Sequence, residues 1–231
     1  MAITEVGNHQ NSSYSTAVTD THGLSIAADD VVVCLILHLD TASCSDNNGA
    51  NAFTGGIVDM DALGTVVHYS IYYRVAGASE PSTYAFTLTG GSDVNWAIQT
   101  RVFRGVDTSS PWNVLSHDNL HATGLTHSAE VAPSIVTTRD GCLALAYFFH
   151  NTNALTWATI DNGFGADLER NAAYPSMGSY TKTIASAGEV GATTAGFNQL
   201  DCATSGGQAA LQPPPAAGFT GIRVTHHITA A

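Results

Sequence analysis

Polar and apolar residues alternate with a period of two over most of this chain, and no stretch keeps a helical period beyond a turn or two. The pattern is clearest from Val66 to Asp107. His68, Ser70, Tyr72 and Arg74 alternate with Tyr69, Ile71, Tyr73 and Val75, and Gly77 to Pro81 ends the run. Thr83 to Leu88 sends Tyr84, Phe86 and Leu88 one way and Thr83, Ala85 and Thr87 the other. Gly90-Gly91-Ser92-Asp93 supplies a turn, and about Asn95 to Arg104 follows with Trp96, Ile98, Thr100, Val102 and Arg104 on one face. The three segments predict an antiparallel meander.

Two runs break the alternation. VVVCLIL (Val31 to Leu37) and CLALAYFFH (Cys142 to His150) are apolar on both faces, which predicts central strands covered on both sides. Met1 to Asp20 is polar and predicts a first edge strand or an arm laid on a neighbour. Asp40 to Phe53 and Thr108 to Ala129 predict loops, the second long enough to suggest a contact role. Further strands are predicted at Ser134 to Thr138, Tyr180 to Ala185, Thr193 to Leu200 and Gly221 to Ile228. Trp157 and Ile160 anchor a loop region, and Pro213-Pro214-Pro215 is a stiff spacer.

The halves echo each other. DDVVVCLILHLDT is matched by RDGCLALAYFFHNT, HYSIYYRVAGASEPSTYAFTL by SYTKTIASAGEVGATTAGFNQL, and VNWAIQTRVFRGV by GFTGIRVTHHI. The expectation is an all-β, two-sheet antiparallel sandwich of jelly-roll kind, with residues 21–231 as one domain sharing one core and residues 1–20 as the arm or edge strand.

Composition narrows the function classes. Charged residues make up only 11% of the 231, with Lys182 the single lysine, so the surface is largely Ser, Thr, Asn and Gly. The net charge of −12 argues against direct nucleic-acid binding. Met1 to Glu5 has neither a basic nor an apolar leader region, and no apolar run is long enough to span a bilayer. Synthesis in a cytoplasm with no membrane partner is the expectation. Cys34 and Cys142 read as buried in apolar strands; Cys44 and Cys202 fall in polar, turn-rich segments and read as free, reactive thiols, with a disulfide between the two as the alternative.

Candidate chemistry is thin. His117 and His121 flank Asp118-Asn119-Leu120 at a spacing that could share a metal on a helix, but their surroundings predict a solvated loop. His226 and His227 point opposite ways in a strand, and His38 and His150 occupy matching ends of the two apolar strands. Asp46-Asn47-Asn48-Gly49 and Asp161-Asn162-Gly163 could offer oxygens to a cation, although such sequences are ordinary turns. Trp112 is a candidate sugar platform that more often anchors a loop. There is no nucleophile elbow, P-loop or dinucleotide fingerprint, so no catalytic, cofactor-binding or metal residue is nominated.

YYRVAGASEPSTYAFTL, the following Trp96, and RVFRGVDTSSPW resemble a stretch of β-sandwich structural proteins of tailed phages and prophages. In these an apolar A-G-D-type turn leads into a long buried strand; Ala28-Asp29-Asp30 stands there with Asp in place of Gly. The resemblance covers residues 24–150 and loosens beyond. It implies a non-enzymatic virion protein, a capsid decoration or cement component or a tail-associated one, located in the virion. Its partners would be copies of itself and other virion proteins. A lectin-like carbohydrate-binding module of a tail or fibre, with a glycan as partner, is the alternative, and a hydrolase on the same fold is a third.

Overall fold

The structure, a computed structural model, describes residues 2–39, 43–61, 68–90, 93–121, 129–151, 157–170, 175–197 and 204–216. The all-β antiparallel sandwich expected from the sequence is what the chain forms, and it forms it twice. In the first half, β1 (Thr4–Ser15), β3 (Val31–His38), β5 (Thr54–Asp61), β6 (His68–Val75) and β8 (Val94–Arg104) make a five-stranded sheet in the order β1-β8-β3-β6-β5. Opposite it β2 (Ala17–Thr21), β4 (Ser43–Asp46) and β7 (Thr83–Thr89) make a three-stranded sheet, β2-β7-β4.

The second half repeats this plan strand for strand. Its five-stranded sheet is β9-β18-β12-β15-β14, built from β9 (Trp112–His121), β12 (Cys142–His150), β14 (Gly165–Arg170), β15 (Ser176–Ile184) and β18 (Thr204–Leu211). Its three-stranded sheet is β10-β17-β13, from β10 (Ala129–Ala132), β13 (Trp157–Ile160) and β17 (Thr193–Phe197). A short extra pair, β11 (Ile135–Thr137) with β16 (Gly188–Val190), completes it. Among the described residues no strand of one half pairs into a sheet of the other.

The core is therefore not the single one expected. Three apolar clusters separate four layers. One lies inside the first half, around Val32, Cys34, Ile36, Phe86 and Trp96. Another lies inside the second, around Ala144, Ala146, Phe148, Trp157 and Tyr180. The third sits between the two five-stranded sheets, where Val33, Leu35 and Leu37 meet Leu145, Tyr147 and Phe149. This stacking explains the two runs that are apolar on both faces. β3 and β12 are the middle strands of the inner layers, and each residue of both is buried. Successive side chains point to opposite faces, so odd positions of each strand enter the shared core and even positions its own half's core.

Several expectations change. The meander is absent: β6 and β8 both flank β3, while β7 crosses to the other sheet, because Tyr84, Phe86 and Leu88 face the core from the opposite layer. Residues 1–20 form two strands, β1 at a sheet edge and β2 in the facing sheet. The predicted loop at 108–129 contains β9, and that at 40–53 contains β4, where Cys44 is buried rather than exposed. In the second half the place of β8 is taken by β18, whereas the echo in the sequence matches β8 to residues 218–228. The predicted strand Gly221 to Ile228, like Cys202, His226 and His227, lies outside the described residues.

Candidate functional site

β3 and β12 both start at one end of the molecule and finish at the other, so the two halves bring equivalent residues together at each end. At the starting end, Asp29 takes a left-handed conformation (φ 66°) and turns the chain into β3. The next residue, Asp30, is buried; its carboxylate accepts both Nε and an Nη of Arg104 at 2.8 Å and the Ala27 amide at 2.9 Å. The Arg104 guanidinium is held firmly protonated by this pairing. Asp107 is tied to Arg139 of the second half at 3.2 Å, and hydrogen bonds from Ser109 hold its carboxyl below the usual range. A cleft of about 390 Å³ runs between these groups, lined by Asp29, Asp30, Arg104, Asp107, Thr108 and Pro214. Asp30 and Asp107 each answer an arginine of this chain, and the lining holds no nucleophile beside a base.

At the opposite end stand His38 and His150, which fall on the faces turned away from the shared core. His38 stacks on His68 with ring centres 5.4 Å apart, and burial, with His68 nearby, lowers its pKa to about 3. His150 lies edge-on to Trp157 at 6.3 Å, and burial lowers it to about 4. Both are neutral interior groups at neutral pH, and the fold keeps them in separate cores.

One constellation escaped the sequence reading. His9 Nδ1 lies 2.6 Å from Asp20 Oδ1, the Thr100 hydroxyl donates to Asp20 Oδ2 at 2.5 Å, and Cys34 Sγ is 3.6 Å from Thr100 Oγ1. Asp20 is fully buried while His9 is a third exposed. A carboxylate behind an imidazole is how a general base is oriented. A nucleophile would have to stand before the ring, however, and the thiol lies behind the carboxylate, where burial drives its pKa far up. The group instead straps β1, β2 and β8 together. No sequence signal could find it, because the residues come from three strands in two sheets.

The remaining candidates resolve into structure. Asn48 is engaged by Asp46 and by the Ala85 backbone, and Asp161 accepts the Thr194 amide at 2.7 Å. Asn162 adopts φ 58° and donates to Gly191 O, so both segments are turns tied to a neighbouring strand. Trp112 packs edge-on to Tyr73 at 5.7 Å against the shared core, which removes it as a sugar platform. His117 and His121 lie on β9, paired with β18; their side chains are outside the described residues. Among the described residues no group of three or more His, Cys, Asp or Glu is placed to hold a metal ion.

The seam between the halves has a polar patch. Arg101, fully buried, makes two hydrogen bonds to Glu5 and one to Ser179 of the second half at 3.0 Å. Gln99 accepts from Ser179 at 2.7 Å and donates to Leu168 O at 2.8 Å. These bonds fix the register of one sandwich on the other. No protein-family model, curated protein or solved structure matches the chain.

Proposed function

We propose that this protein is a non-enzymatic structural component of a tailed-phage virion, a capsid decoration or tail-associated surface protein. It acts through symmetric contacts with copies of itself and with other virion proteins. The family resemblance at residues 24–150 supplies the setting. The observation that carries the reading is the back-to-back stacking of two duplicated sandwiches. Three apolar cores take up the large side chains, the cleft beside Asp30 has its arginine matched to its own carboxylate, and the outward faces of the described strands are largely polar. Within each half the order β1-β8-β3-β6 facing β2-β7-β4, and its repeat, supports reading each half as a jelly roll, a plan used for viral capsid domains. A surface so poor in charge offers little repulsion between neighbouring copies.

The test is protein mass spectrometry on purified particles produced by the host cell, with antibody labelling to place the chain. The expected result is a chain present in many copies per particle and removed only by conditions that strip the shell or tail. Abundant chain in the lysate and none in the particles would overturn the proposal.

A further inference from the structure

The end of the molecule where β3 and β12 begin carries two exposed carboxylates that no described cation answers. Asp29 lines the cleft of about 390 Å³, and among the described residues its side chain has no hydrogen-bond or ion-pair partner. Asp140, on the second half, accepts the Ala187 amide on Oδ1 at 2.7 Å, and its Oδ2 has no bonded partner among the described residues. Arg74, Arg101, Arg104 and Arg139 are each committed to another acid: Glu80, Glu5, Asp30 and Asp107 in turn. Lys182, the single lysine, is turned to Asn162 O at 2.6 Å. In a chain of net charge −12, the matching cation has to come from outside.

Asp29 holds its place against a strain that its twin avoids. With His38 laid on His150, Asp29 falls on Gly141, and both take a left-handed backbone, at φ 66° and 74°. Glycine adopts that conformation freely, whereas a side chain there is strained. The first half keeps an acid where the second has glycine.

A rigid ridge adjoins both acids. Pro214 lines the cleft beside Asp29 and also two hollows of about 320 and 360 Å³ beside Asp140. Pro214, Pro215 and Ala216 are exposed. Proline fixes φ, and Gln212 roots the run in the linker between the halves. Its backbone amide donates to Pro111 O at 2.9 Å, its side chain donates to Ser110 O at 2.6 Å, and its carbonyl accepts the Asp107 amide at 2.8 Å. A surface already ordered loses little freedom on binding.

We infer that this end is a docking surface for an arginine- or lysine-bearing segment of a neighbouring protein, which lies across the triple proline with one cation against Asp29 and another against Asp140. The hollows lined by Pro214 take the aliphatic stems of those side chains. A single metal ion fits less well, since among the described residues no three His, Cys, Asp or Glu are grouped to hold one. The inference rests on the virion reading for who the neighbour is, another virion protein, and adds what chemistry it presents.

The probe is a hexaarginine peptide carrying a photo-crosslinker, compared with the same peptide made of citrulline, the uncharged isostere. Crosslinks are expected at residues 28–30, 104–108, 139–141 and 213–216, and the citrulline peptide is expected not to bind. The full-length double variant Asp29→Gly, Asp140→Asn should bind hexaarginine about fivefold more weakly. Asp93→Asn removes an exposed acid just before β8, at the opposite end, and should leave the affinity unchanged. Glycine suits the backbone of residue 29 and asparagine keeps the Oδ1 acceptor at 140, so Tm of the double variant should hold or rise. Crosslinks scattered over the surface, equal weakening by Asp93→Asn, or equal binding of the citrulline peptide would each overturn the docking surface and leave the virion reading standing. Absence of the chain from particles would end that reading and leave a site for basic segments in place.

Discussion

Cys44 shows how far a residue's local sequence can mislead. Ser, Thr, Asn and Asp surround it, yet it sits buried opposite Leu88 and accepts, through its backbone oxygen, the Tyr72 hydroxyl. In native protein a thiol reagent is therefore expected to leave Cys34, Cys44 and Cys142 unmodified, and all three to react once the chain is unfolded. Mass spectrometry of the labelled peptides checks this, and rapid native labelling at Cys44 would remove β4 from the first core. The buried histidines set a pH dependence. An unfolded histidine titrates near 6.5, while His38 and His150 are lowered to about 3 and about 4 by burial. Below about pH 6.5 the unfolded chain thus binds protons that the folded chain does not. The stability from keeping both rings neutral is fully present above that pH and is lost as pH falls towards the folded values. Tm should drop between neutral and mildly acid buffer, and His38→Gln with His150→Gln should flatten the drop. An unchanged slope would mean that other groups carry the acid sensitivity.

Among elements, β18 was the least legible. TSGGQAAL has two adjacent glycines and no large apolar residue before its end, so nothing marks it as the partner of a buried central strand. The reason lies across the ladder. Tyr147 pairs with Gly207, and a Cβ placed there would lie 2.4 Å from the tyrosine oxygen. Glycine is in this strand because a ring occupies the space. Gly207→Ala should destabilise the fold by about 1–3 kcal/mol, measured by chemical denaturation, with Tyr147→Leu, which removes the ring atoms that the new Cβ would meet, recovering part of the loss in the same chain. β3 and β12 were readable because their apolar runs are unbroken, and β6 and the residues around Trp96 because polar and apolar positions alternate along them. β7 was found as a strand but given to the wrong sheet, since alternation reports which faces are apolar and says nothing of which layer a strand joins. The charged cleft and the His9–Asp20–Thr100 strap were invisible for a related reason: both are assembled from separate strands.

For the whole molecule, the shared core between the two inner sheets, with the hydrogen bonds across the seam, is expected to make the halves one cooperative unit despite their separate sheets. Leu35 is fully buried in that core, so Leu35→Ala should cost about 2–5 kcal/mol. Calorimetry is expected to show a single transition that shifts down intact; two resolved transitions would mean that each sandwich melts alone. The seam itself shows what joining two copies in one chain permits. If the halves are laid on each other with His38 on His150, Arg101 falls on Ala209 and Ser179 on Ile71. Both Ala209 and Ile71 belong to the apolar cluster between the sheets. One flank of the seam is thus a salt-bridged polar contact, and its mirror image is oily. A pair of separate identical subunits has no access to that arrangement, because any side chain placed on one flank is placed on both. Covalent linkage frees the copies to diverge, so that one flank can carry orientation and the other adhesion.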